Sequence, residues 1–156
     1  MMLGQGGAAG LGVLIRRAVP SDLEQLLILG ERYCAADRAA WLPQRARAGF
    51  KPLLQDDTHG IVLVVEATDA LIGYAVLTWG WSIEAGGRES LLDEMYIDQP
   101  SRGYGSLLIE EVVAAAQAHG AVRVFLETEG VNSAARRFWL KRGFELEDSI
   151  WLQRRW

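Results

Sequence analysis

Hydrophobic and polar positions change their period several times along this chain, and each change predicts an element. Val13 to Val19 reads as a short strand. From Pro20-Ser21-Asp22-Leu23-Glu24 the period becomes helical: Leu23, Leu26, Leu27, Tyr33 and Cys34 share one face, while Asp22, Gln25 and Arg32 lie off it. Ser21 and Glu24 have capping-box spacing, which places a hydroxyl and a carboxylate to satisfy orphan N–H groups at the helix start. The stretch from Trp41 to Leu54 is ambiguous, with Pro43 and Pro52 bracketing a second candidate helix.

The centre of the chain has a different pattern. Ile61 to Ala67 is apolar and largely β-branched, Thr68-Asp69-Ala70 is a turn, and Leu71 to Trp81 is the next strand. Gly86-Gly87 turns the chain again before Leu91 to Asp98, which completes an antiparallel meander and is apolar enough to be central. After Pro100 the helical period returns from Gly105 to His119, with Leu108, Val112, Ala115 and His119 along one stripe and Gly120 placed to end it. Val122 to Thr128 then predicts a strand, Asn132 to Arg142 a helix stopped by Gly143, and Phe144 to Arg154 a closing strand or hairpin. Strand–helix–strand between Leu91 and Thr128 implies a parallel pair with a right-handed crossover. The predicted fold is α/β with a mixed sheet, in which the antiparallel meander leads into a parallel βαβ unit.

Composition narrows the class. The 156 residues suit one domain over 13–156, behind a flexible Gly-rich tail at 1–12. Half of the residues are hydrophobic and 23% are charged, which predicts a buried core and excludes wholesale disorder. No apolar run approaches the roughly 18 residues of a membrane span, and the tail lacks the charged start of a secretory signal. A cytoplasmic protein with no membrane partner is expected. Cys34 is the single cysteine, so an internal disulfide and an all-cysteine metal site are excluded; on its apolar stripe it reads as a core thiol. His59 and His119 have no companions at ligand spacing, so no metal is expected. A net charge of −4 argues against a nucleic-acid partner, which would need a basic stripe.

Candidate chemistry concentrates around the last strand of the meander. The turn Asp98-Gln99-Pro100-Ser101-Arg102-Gly103-Tyr104-Gly105-Ser106 joins that strand to a helix. Two glycines beside an arginine let backbone N–H groups converge, and the helix N-terminus favours an anion by about 0.3–1 kcal/mol. The same glycines also suit a plain tight turn. A Walker loop is excluded because no Gly-Lys-Ser/Thr is present, and a dinucleotide fingerprint fits poorly because Leu108 stands where a small residue is needed.

Three segments in this order resemble the GNAT superfamily of acyl-CoA-dependent N-acetyltransferases. Leu92-Asp93-Glu94-Met95-Tyr96-Ile97 is similar to the family's central strand, and Arg102-Gly103-Tyr104-Gly105 to its pyrophosphate loop. Asn132 to Trp139, followed by Lys141-Arg142-Gly143-Phe144, is similar to its Asn-x-x-Ala-x-x-x-Tyr helix and Gly-Phe end. The resemblance runs from about Ile61 to Trp156. It implies acetyl-CoA as co-substrate, with Met95, Tyr96 and Ile97 along the pantetheine arm. Arg102, Gly103, Tyr104, Gly105 and Ser106 would hold the pyrophosphate, and Asn132, Ala135 and Trp139 would lie near the thioester. Two positions depart from the family pattern: Pro100 removes an N–H at the loop's first position, and Trp139 replaces a tyrosine thought to protonate the leaving thiolate.

Acetyl transfer to an amine carries a proton problem, because an amine of pKa near 10.4 is neutral in only about one molecule per few thousand at pH 7. Asp93 and Glu94 interrupt an otherwise apolar strand, and adjacent strand residues point to opposite faces, so one of them is expected in the cleft. The resemblance implies Asp93 as general base and Glu94 as second choice; an ion pair or a solvated strand end is the alternative. Glu127, at the end of a strand, is a third candidate. Trp79 and Trp81 share a face and would either wall a substrate slot or serve as core or interface, and Tyr33 reaches a substrate if the first helix lines the cleft. The resulting expectation is direct transfer to a small cationic amine. A peptide or protein amine and a non-catalytic acyl-CoA-binding module are the other readings. The resemblance also admits a homodimer through sheet edges or C-terminal strands.

Overall fold

Ile61 to Val65 are all buried, on both faces of one strand, and this explains their unbroken apolar run. They belong to β2 (Gly60–Ala67), the second of the five strands that the described residues form in a mixed sheet. The computed structural model describes residues 12–100 and 102–156, so the expected tail, apart from Gly12, lies outside the described residues. In chain order the elements are β1 (Leu14–Arg17), α1 (Leu23–Ala36), α2 (Pro43–Gln55), β2, β3 (Ala70–Ser82), β4 (Gly87–Ile97), α3 (Tyr104–Ala118), β5 (Arg123–Phe125) and α4 (Ser133–Leu140). Strands run in spatial order β1-β2-β3-β4-β5, antiparallel throughout except for the parallel pair β4–β5. The meander and its βαβ continuation are therefore as the sequence predicts.

The sheet separates two cores. On one face α1 and α2 bury Leu26, Leu29, Phe50 and Leu53 against Val62, Val64, Tyr74 and Val76. On the other, Leu108, Val112 and Ala115 of α3 pack on Ile15, Leu63, Ala75, Leu77 and Leu92. α4 joins this second layer through Trp139. The ambiguous stretch resolves as α2, which begins at Pro43 and runs through Pro52 to Gln55.

Three boundaries differ from expectation. Ser21 and Glu24 do not form a capping box. A 3₁₀ turn, Pro20–Asp22, precedes α1, and Asp22 Oδ2 accepts from the Val19 N–H at 2.8 Å, while Glu24 pairs with Arg47. Asp22, one residue away, wins because it is buried (5% exposed) and takes a forked pair of bonds from Arg16 at 2.7 and 3.0 Å. The predicted strand 122–128 shortens to Arg123–Phe125. Phe144 to Arg154 forms no strand: it meets β5 through side chains, Trp151 stacking on Phe125 and Glu147 facing Arg123, without a ladder. An alternating pattern specifies faces, and a strand also needs a backbone partner.

The Arg16–Asp22 pair gives a pH-dependent prediction. The Arg16 bonds hold the Asp22 carboxyl below its ordinary value, so its stabilisation is present above the unfolded carboxyl's pKa of about 3.9 and is lost as pH falls through the folded value. Asp22→Asn should cost about 1–3 kcal/mol at pH 7. The difference should close at acid pH, as read by urea unfolding. Equal midpoints at pH 7 would sink this account.

Candidate active site

β4 is where the sheet opens. It pairs with β5 only from Glu89 to Leu91, opposite Arg123 to Phe125. Beyond that point the described residues give β4 only β3 as a partner, leaving one main-chain edge of Asp93–Ile97 available to an extended ligand. At the same place the β3–β4 register slips: Val76 faces Glu94, and Leu77 faces Leu92. Asp93 is thus the extra residue of a β-bulge.

The bulge corrects the expectation that Asp93 and Glu94 point to opposite faces. Leu92, Met95 and Ile97 pack in the α3 layer, whereas Glu94 reaches Tyr74 and Tyr96 packs in the α1–α2 layer. The inserted residue turns Asp93 to the Glu94 side, where both carboxylates raise the Tyr33 phenol. Asp93 is exposed to solvent, and Glu94 is half-buried. Partial desolvation by the surrounding protein pushes both carboxyls up from their ordinary values. For Glu94 the Tyr74 hydrogen bond opposes that rise and the charge of Asp93 adds to it. Two carboxylates therefore lie on one side of the sheet with Tyr33, Cys34 and Tyr74.

Tyr33 lies on this side of the sheet. Its ring meets Tyr96 edge-on at 6.4 Å, and burial, with Glu94, Asp37 and Asp93, pushes its phenol up to about 12. Cys34 is half-buried on the same side, and burial together with Glu94 and Asp37 raises its thiol. The Tyr96 hydroxyl donates to Asp98 Oδ1 at 3.1 Å, and Asp98 also pairs with Arg32 at 2.6 Å.

Across the sheet, the α3 N-terminus carries the glycine turn. Gly103 is the N-cap residue in the left-handed region, φ 81°, which glycine adopts without steric cost. The Ser106 and Leu107 N–H groups turn back to Gly103 O, so the first-turn donors left for a ligand are those of residues 103–105. A Cβ on Gly105 would stand 3.5 Å from the Phe138 ring and 3.7 Å from Met95 Cε, so the turn lies directly against β4 and α4. Arg102 is exposed. Ser106 accepts a hydrogen bond from Arg142, whose guanidinium lies 3.6 Å over the Phe138 ring centroid and donates to Phe138 O at 2.9 Å. Among the described residues Arg142 has no carboxylate partner. A groove of about 570 Å³ runs from Ser106 and Arg142 along α3. The turn thus offers main-chain donors, a helix's positive end and an unneutralised cation, a donor set suited to a pyrophosphate.

Asn132 caps α4, its Oδ1 accepting from the Ala135 N–H at 3.0 Å. Trp139 is wedged edge-on between Phe138 and Phe144 at 4.8 and 5.4 Å. Glu127 is exposed and lines a cavity of about 1010 Å³ with Trp139, Phe125 and Trp151. Trp79 lies at the far end of α3, stacked on His119 at 4.9 Å, its indole N–H donating to Asp57 O, and Trp81 is 76% exposed. The structure does not bring either tryptophan to the carboxylates. No group of three or more His, Cys, Asp or Glu is arranged to hold a metal among the described residues, and none of their helices is long and apolar enough to cross a membrane.

Sequence reading missed Tyr74 and Arg142. Arg142 had a local signal, a cation immediately before the Gly143-Phe144 end of the helix. Tyr74 had none, because only the strand register brings it to Glu94.

The split sheet with a bulge at its fork and a glycine turn facing it defines an acyl-CoA acetyltransferase fold. The chain belongs to the acetyltransferase (GNAT) family, whose model matches residues 26–144. It is 31% identical over 118 residues to the L-methionine sulfoximine/L-methionine sulfone acetyltransferase of Pseudomonas aeruginosa, a match covering 74% of this chain and 62% of that protein. The chain thus spans under two thirds of the curated relative's length. An integron cassette protein from the mobile metagenome of Cole Harbour Salt Marsh superposes with TM-score 0.77 and 27% identity, covering 99% of this chain and 95% of that one. An aminoglycoside N-acetyltransferase in complex with CoA superposes with TM-score 0.80 and 18% identity, over 98% of this chain and 99% of the other, a likeness of fold.

Proposed function

We propose that this chain transfers an acetyl group from acetyl-CoA to the primary amine of a small cationic molecule. The observation that carries the reading is the β-bulge, which sets Asp93 and Glu94 side by side at the point where β4 and β5 part. The first-turn N–H groups of α3, with Arg102 and Arg142, hold the pyrophosphate, and the unpaired edge of Met95–Ile97 takes the pantetheine arm. The acceptor enters from the α1–α2 side between Tyr33 and the carboxylates.

There the ammonium gives one proton to Asp93, directly or through water. The freed nitrogen lone pair attacks the thioester carbonyl, with a β4 N–H polarising the carbonyl oxygen. The C–S bond breaks with its electron pair on sulfur, and the second amine proton ends on the departing thiolate. Trp139 has no acidic proton to supply and no role in that step.

A cationic acceptor is favoured by the groups on this side of the sheet. Asp93 and Glu94 lie with Tyr33, Cys34 and Tyr74, and Arg32 is already paired with Asp98. Polyamines and aminoglycosides should therefore exceed zwitterionic amino acids in kcat/KM by about tenfold or more, one uncompensated charged group being worth about 1–3 kcal/mol. A panel of polyamines, aminoglycosides, methionine sulfoximine, other amino acids and short peptides decides this by acceptor-dependent thiol release. A preference for methionine sulfoximine would align the chain with its Pseudomonas relative and overturn the cationic assignment, and a preference for peptides would do so equally.

A further inference from the structure

We propose that Tyr74 is a positioning residue for this transfer: its hydroxyl holds the Glu94 carboxylate in place beside Asp93, as a second negative charge facing the acceptor ammonium. This rests on the functional reading above. Tyr74 lies on β3 with no exposed surface, and its O–H donates to Glu94 Oε2 at 2.7 Å. The ring is fixed by Phe50 edge-on at 5.8 Å and by Tyr96 at 6.5 Å, so the hydroxyl has one direction to point. The ring belongs to the apolar cluster of the α1–α2 layer, and its hydroxyl is the part that meets a charged group. A buried phenol is satisfied only by an acceptor, and the acceptor here is a carboxylate at the candidate reaction centre.

Two like-charged carboxylates side by side cannot take protons independently, and a hydrogen bond to the charged form of one favours that form. Asp93 accepts no side-chain hydrogen bond among the described residues, whereas Glu94 accepts one. Burial and the charge of Asp93 push Glu94 toward its neutral form, and of the described groups facing it the Tyr74 hydroxyl opposes them. Tyr33 and Cys34 come from α1, both with raised proton affinities and neutral. Tyr96, next along the face, donates to Asp98, which is held by Arg32. From α2, Phe50 carries no charge. Tyr74 is thus the group that favours the charged form of Glu94 against burial and the Asp93 charge.

Tyr74→Phe removes the hydroxyl and keeps the ring. The pair should then take its first proton at higher pH, and the acid limb of kcat/KM should move up by about one unit. Glu94→Gln should erase that displacement, so that adding Tyr74→Phe to it changes the limb no further. Carboxyl ¹³C NMR titration of Glu94 in the wild type and Tyr74→Phe gives the same information without turnover. Upward displacement of both the titration and the acid limb supports the proposal. An unchanged Glu94 titration overturns it, and so does a displaced titration with an unmoved limb, which would make the bond structural only. Loss of transfer in the wild type itself, with Glu94 still responding to Tyr74→Phe, would overturn the enzymatic reading while leaving the hydrogen bond in place.

Discussion

Replacing Asp93 by Asn should lower acetyl transfer by about 100- to 10,000-fold while leaving acetyl-CoA affinity within about threefold. The asymmetry follows from position. Asp93 is the bulged residue, exposed on the α1–α2 side, where it meets the acceptor, while the residues proposed to grip the coenzyme lie on the α3 side. Asparagine keeps the shape and removes the proton acceptor, so the loss falls on the step that deprotonates the ammonium. The rate lost should be partly recovered as pH rises, because free amine then becomes more abundant and needs no base. Steady-state kinetics over pH with calorimetric titration of acetyl-CoA checks both halves. An equal loss of turnover and coenzyme affinity would place Asp93 in binding, and an unaltered rate would remove it from the mechanism.

Gly103→Val should have the opposite signature, weakening acetyl-CoA by more than about tenfold while changing kcat at saturating coenzyme by only a few-fold. Gly103 sits at φ 81° at the start of α3, a conformation that costs other L-residues about 1–2 kcal/mol and is a severe outlier for a β-branched one. Relaxing that strain rotates the first-turn N–H groups away from the pyrophosphate, and each hydrogen bond forfeited there costs about 0.5–1.5 kcal/mol. Gly105→Ala is the control, because its Cβ would meet Phe138 at ordinary van der Waals distance. If Gly103→Val binds acetyl-CoA as the wild type does, the glycine turn is only a turn.

The sequence was legible where one physical signal was sufficient. The doubly buried β2 had to be apolar throughout, α3 had to present one stripe, and the glycines after β4 had to mark a tight entry to a helix; all three are seen. Thr68 and Asp69, at φ 47° and 65°, turn β2 into β3 at the predicted place. What the sequence did not disclose depends on register. A bulge adds one residue without altering composition, so a period of two put Asp93 and Glu94 on opposite faces when the structure puts them together. Tyr74 was invisible for the same reason, since its meeting with Glu94 needs β3 and β4 aligned to the residue. The resemblance named the candidate loop and carboxylates, but it gave Trp79 and Trp81 no position, and the structure sets them apart from the carboxylates.

The central claim, that the paired carboxylates at the fork of the sheet serve acetyl transfer to an amine, is tested most directly by thiol release from acetyl-CoA with and without amine acceptor, the acetylated product being identified by mass. The account predicts release that depends on a cationic amine, saturates with it and falls at least about a hundredfold in Asp93→Asn. Tight acetyl-CoA binding with no acceptor-dependent release from any amine would contradict it and make the chain an acyl-CoA-binding module.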